Sequence, residues 1–314
     1  MAVDRAGKSP EWDVGYVEQQ PPAERRPPPD RPDDDAFPSR ADSRLAAAAA
    51  NASSGEKHGR PIDESVRNGA GPESDIPEFT PEQLAELRKA ESDIRGLTEK
   101  HGVRVDYTSH PIDPANALEL NKAITRMARE YPSVFRHVGI IKVLDSHRMG
   151  ENGSGPNALG HTIHEGQRPT GGGEIEPGIY FGQSHFTDKS TTDLEAANDR
   201  ARNWNISGTA EGTLYHEFGH VIENRLRKNS AIKRELTGEL RSAGISVDPD
   251  SLVVAFPPGP QAVIDGLSRY AATKNTMEMI AEGFSEWQLD PHPRPIARAI
   301  GTVVDRYFKD EIGC

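Results

Sequence analysis

The stretch His216-Glu217-Phe218-Gly219-His220 restricts this chain more than any other five residues. It spells H-E-x-x-H, a pattern whose meaning depends on a helix. Residues four apart share one helix face, so both imidazoles can reach a single metal ion. Glu217 lies about 100° round from His216 and about 60° from His220. Its carboxylate therefore falls beside the metal position, next to a water site, and outside the ligand set. A zinc ion held by three protein groups keeps a fourth position for water and lowers that water's pKa to about 7. A carboxylate placed to take the proton completes what amide hydrolysis needs. The flanking residues predict the helix. Leu214, Phe218, Val221, Ile222 and Leu226 form an apolar stripe at helical spacing, Ser207 or Thr209 provides the cap, and Glu211 stands in the first turn.

Two histidines do not complete a zinc site. An H-E-x-x-H-x-x-G-x-x-H extension fails, because Glu223 stands where its glycine would be and Leu226 where its third histidine would be. Glu235 and Glu239 stand at the distance of a thermolysin-like third ligand. They belong to Ala231–Gly244, which reads as a solvated charged helix. Glu278 and Glu282 are stronger candidates. They are four apart within Leu267–Trp287, among the apolar Met279, Ile280, Phe284 and Trp287. Carboxylates on a half-buried helix are costly unless paired or metal-bound. Glu286 reads as part of a solvated acidic face.

The two segments together resemble the anthrax lethal-factor-like zinc peptidases, found in bacterial toxins, phages and mobile elements. That family pairs H-E-F-G-H with a downstream segment of the type S-Y, a few residues, then N-x-x-E-F-F-A-E-A-F. Here the chain has Ser268-Arg269-Tyr270, then Asn275, then Glu278-Met279-Ile280-Ala281-Glu282-Gly283-Phe284. The resemblance implies Glu278 as third zinc ligand, Tyr270 as donor to the tetrahedral oxyanion, and Glu282 as a carboxylate orienting a ligand. It spans roughly residues 205–290. Met279-Ile280 replaces the aromatic pair, Gly283 replaces Ala, and the interval from His220 to Glu278 is longer. Pro257-Pro258-Gly259-Pro260 marks where a loop would be inserted.

The chain has 314 residues, enough for one sizeable domain and a tail. Residues 1–75 hold Pro21-Pro22, Pro27-Pro28-Pro29, Asp33-Asp34-Asp35 and Ala46–Ala50, without apolar periodicity. They read as a disordered tail able to dock a partner, with residues 76–314 as the folded domain. Met1–Gln20 has no apolar core of a secretory signal, and no stretch approaches membrane-spanning length. The expectation is a cytoplasmic protein, or one exported or packaged by a non-classical route, without membrane insertion. The single cysteine, Cys314, excludes an intrachain disulfide and a cysteine metal site. A net charge of −12 argues against nucleic acid, whose phosphates need clustered Lys and Arg. Arg225–Lys228 and Arg306–Lys309 read as solvated helix ends.

Order is expected from Phe79. Thr80-Pro81-Glu82-Gln83 opens a helix to about His101, Val103–Tyr107 is a strand, and Asn116–Tyr131 a second helix. Val138–Leu144 reads as a buried strand. Gly150–Gly173 reads as loop or strand surface. Its His161 and His164, three apart, face opposite sides of an extended chain and do not converge on one metal. Glu174–Phe186 is expected to be the sheet edge on which a substrate adds as an extra strand. Leu194–Trp204 and Pro295–Phe308 are further helices. Together these predict an α+β, zincin-like metallopeptidase domain with a small sheet and an active-site helix. Its expected activity is zinc-dependent endoproteolysis of a protein or peptide substrate, with one Zn2+ on His216, His220 and Glu278. Glu217 would be the general base. The rival is a catalytically inert zincin-like assembly protein of a phage or mobile element.

Overall fold

The computed structural model describes residues 76–309, apart from 152–154, 168–175, 207, 253, 255–258 and 274. The expected tail, Ser207 as a cap, Pro257 and Pro258 of the expected loop, and Cys314 lie outside the described residues, while Gly259 and Pro260 begin a helix.

The protein is α+β, mostly helical, with one small sheet. Helix α1 (Pro81–Glu99) starts where Thr80 and Gln83 cap each other reciprocally, at 3.2 and 2.9 Å. Strand β1 is Arg104–Asp106. Helix α2 (Pro114–Glu130) begins two residues earlier than its apolar pattern suggests, because the Asp113 carboxylate accepts the Ala115 N–H at 2.8 Å. A single turn, α3 (Pro132–Phe135), leads to β2 (Ile140–Leu144). The short α4 (Ser146–Glu151), β3 (Gly160–Ile163) and β4 (Gly178–Gly182) follow. Helix α5 (Lys189–Ala201) opens ahead of Leu194 because Asp188 accepts two N–H groups, from Ser190 and Thr191. Five α-helices follow among the described residues: α6 (Ala210–Arg227), α7 (Ser230–Ser242), α8 (Gly259–Gly266), α9 (Asn275–Leu289) and α10 (Pro295–Phe308).

The sheet order is β1-β2-β4-β3. The first three strands are parallel, and β3 is antiparallel to β4. Strands β2 and β4 are buried on both faces, as interior parallel strands are. Ile141, Val143, Ile179 and Phe181 face the helical core, while Ile140, Leu144, Ile163 and Tyr180 close over Met149 of α4. One expectation is narrowed here and two change. The Gly150–Gly173 region holds a strand, β3, which four residues of its own sequence barely signal; its ladder with β4 makes it. Strand β4 is therefore not the edge, since β2 and β3 flank it. The edge beside α6 is β3. Glu286 is not solvated: it is buried and grips Arg294 through both oxygens, at 2.6–3.0 Å, while also taking the Arg294 N–H at the start of α10. The basic helix ends are likewise paired, Arg227 with Glu223, Arg306 with Glu235 and Lys309 with Glu130.

Helices α6 and α9 meet at close range. A Cβ on Gly219 would stand 2.7 Å from the Cα of Ala281, so only glycine lets the two backbones approach this far. Phe218 seals the other side, in a ring cluster with Tyr131 and Phe284 at 6.1 Å each. Gly219→Val should therefore wedge the helices apart. The expected cost is about 1–3 kcal/mol or more in urea unfolding, because the clash is with backbone that cannot rotate away.

Candidate metal centre

Helix α6 carries three of the expected residues on its core side. Thr209 caps it, accepting the Gly212 N–H at 3.1 Å, and Glu211 suits the positive N-terminal end. From α9, Glu278 projects between the two histidines. Its Oε2 lies 3.2 Å from His216 Nε2 and 3.4 Å from His220 Nε2. One donor atom from each of the three lies within 4.8 Å of the others, so this buried group could hold a metal ion. Glu235 is engaged elsewhere, on Arg306 and Tyr307 of α10. His161 and His164 do not join the group among the described residues.

Glu282, one turn further along α9, is 1 % exposed and takes three bonds. His216 Nδ1 donates to its Oε1 at 3.0 Å, while Ile206 N–H and Ser268 Oγ donate to its Oε2, each at 2.8 Å. The bond to Nδ1 leaves Nε2 of His216 facing Glu278, the tautomer and orientation a metal ligand needs. Ser268 Oγ in turn accepts the Ala271 N–H at 3.0 Å. The turn bearing Tyr270 is thereby tied to the same carboxylate. Asn203 and Trp204 accept the next two N–H groups, of Arg269 and Tyr270, at 2.9 and 2.8 Å. Asn203 adopts a left-handed φ of 53°, which asparagine tolerates, and its side chain donates to Ile264. The Tyr270 ring sits 5.7 Å from that of His216.

Glu217 occupies a separate position. It is buried, lies outside the three-donor group, and leans on β3, where Thr162 Oγ1 donates to its Oε2 at 2.7 Å. Gly160 lies beneath it: a Cβ there would fall 2.5 Å from Glu217 Oε1. The sequence did not point to Thr162 and Gly160 beside Glu217, nor to Ser268 as a donor to Glu282. The only trace of the first two was the alternation Gly160-x-Thr162-x-His164.

Three carboxylates and two imidazoles in one buried volume need positive charge. Burial opposes a charge on His216, yet Glu278, Glu282 and Glu217 outweigh it and push the imidazole up to about 10. Burial likewise opposes ionisation of Glu278, but bonds from His216 and His220 hold it well below the usual carboxylate range. Without a cation, a proton on His216 supplies the balance. A divalent ion would supply it in the proton's place, so the donor set fits a metal. No protein-family model, curated protein or solved structure matches the chain.

The sign of the pH effect follows. A histidine raised from about 6.5 stabilises the metal-free fold fully below that pH, and the contribution is lost as pH rises towards 10. Metal needs the neutral ring, so Zn2+ added at pH 7 should release about one proton, and affinity should weaken as pH falls. Titration in a weakly buffered indicator solution reads this directly. Glu282→Ala should lower metal affinity by about 10–100-fold, measured by chelator competition.

Proposed function

We propose that this protein is a zinc-dependent endopeptidase with a zincin-like, lethal-factor-like domain. The observation that supports this best is the division of labour at one spot. Three donors converge, and a fourth buried group, Glu217, stands beside them on the sheet edge without joining them. Purely structural metal sites have no use for that carboxylate.

Zinc held by His216, His220 and Glu278 would polarise a carbonyl and lower the pKa of water. Glu217 then accepts the proton of the attacking water and delivers it to the leaving amine. Tyr270 donates its phenolic proton to the oxyanion that develops. Burial and the charges of Glu278, Glu217 and Glu282 raise its pKa, so it stays a neutral donor at neutral pH. Glu282 holds His216 in register throughout.

The substrate is an extended peptide laid along β3. The bond from Gly182 N–H to the Leu159 carbonyl makes Leu159–Gly182 a hydrogen-bonded pair, so His161–Tyr180 is the next. Gly160 and Thr162 alternate with these and direct their N–H and C=O groups away from β4, to the open edge. No helix among the described residues is long and apolar enough to cross a membrane, so no membrane insertion enters this reading.

Fluorescein-labelled casein and zinc analysis by mass spectrometry test the proposal together. Glu217→Gln should abolish cleavage and retain zinc, and His216→Ala or His220→Ala should lose both. Tyr270→Phe should be slower by about a hundredfold or more, with zinc retained. Normal cleavage by Glu217→Gln would end the mechanism.

A further inference from the structure

We infer that Thr162 and Gly160 of β3 form a seat that fixes the Glu217 carboxylate, making the sheet edge a positioning element of the catalytic base. The purpose of the seat rests on the peptidase reading; its existence does not.

The geometry is specific on both oxygens of Glu217. Thr162 Oγ1 donates to Oε2 at 2.7 Å. Oε1 lies over Gly160, where a Cβ would stand 2.5 Å away, and the Glu217 Cγ and Cδ would be 2.8 and 2.9 Å from it. A glutamate has three rotatable side-chain bonds, and holding it in one geometry costs entropy. A donor on one oxygen and a flat backbone under the other remove most of that freedom before substrate arrives. The strand places both contacts without further help, because residues two apart in a strand face the same side.

Thr162 is also within 2.9 Å of the Glu217 backbone carbonyl. Its hydroxyl has a single proton and can serve one acceptor at a time. A structural pin between β3 and α6 would use the carbonyl, and would not need the Glu217 side chain. A seat uses the carboxylate. The two roles are therefore separable by experiment. They also share a consequence for the strand: Gly160 and Thr162 turn their side-chain face to Glu217 and their peptide groups to the open edge. Any peptide pairing with that edge is registered against the base by the same two residues.

The test is a double-mutant cycle on the full-length, zinc-loaded protein, with urea unfolding and zinc content as readouts. Thr162→Val keeps the shape and removes the donor; Thr162→Ser keeps the donor. If the seat exists, the loss in folding equilibrium constant from Thr162→Val should shrink by about fivefold or more when Glu217 is Ala, and Thr162→Ser should show little loss. An unchanged loss in the Glu217→Ala background would overturn the proposal and leave only the structural pin. Gly160→Ala gives an independent arm through crystallography of the zinc-loaded variant. The Glu217 carboxylate should be displaced, and an unmoved carboxylate would count against the seat. Cleavage of labelled casein separates the two proposals. With an active wild type, Thr162→Val should lower the rate by about tenfold or more at full zinc occupancy, with Thr162→Ser restoring it. An unaltered rate would overturn the positioning role. An inactive wild type with the cycle positive would remove the peptidase reading and keep the seat.

Discussion

The close approach of α6 and α9 at Gly219 and Ala281 is the constraint on which the rest of the site depends. Helices that cross with larger residues between them stay 8–10 Å apart, and short carboxylate side chains then span less of the gap. With a glycine at the crossing, Glu278 and Glu282 on α9 reach the two ends of the His216 ring at 3.2 and 3.0 Å. The same glycine lies within H-E-x-x-H, between the two histidines. Its place in the motif is thus steric, and it serves the second helix as much as its own.

Charge is handled with similar economy. Burying three carboxylates together is unfavourable unless each finds compensation. Glu282 is met by three donors, Glu278 by two imidazoles, and Glu217 by a threonine hydroxyl. The compensation comes from five residues spread between Thr162 and Ser268, so the cluster is assembled only when β3, α6 and the turn before α9 come together. A fragment containing α6 and α9 alone would hold the charged groups without several of their partners.

Much of the helical frame was legible from residues alone. Thr80 with Gln83, and Pro295, announce their helices by capping and ring chemistry that act locally. The site's helix was legible because its stripe and its histidines share one period. What could not be read depends on distant partners. Strand β3 is four residues long and gains its order from β4, which lies beyond a further stretch of chain. For the same reason β4 looked like an edge: its own sequence does not record what pairs with it. Glu286 looked solvated because Arg294, which buries its charge, lies past the end of the helix. The carboxylate pair Glu278 and Glu282 was found since both members share one helix face, whereas Thr162 and Gly160 sit 55 or more residues from the group they touch.

Glu282 joins three pieces of chain that otherwise have separate lives: the His216 ring, the backbone at Ile206, and Ser268 ahead of the Tyr270 turn. Its two oxygens make ligand orientation and loop order parts of one equilibrium. Whatever tightens the ring against a cation also tightens the two loops, and whatever loosens the loops weakens the cation's hold, by the same free energy. The centre is in this sense a reporter of its own surroundings. A peptide, a partner or a protease cut that disturbs the Ile206 or Ser268 segment would be felt at His216, and by any metal ion held there, without touching His216, His220 or Glu278.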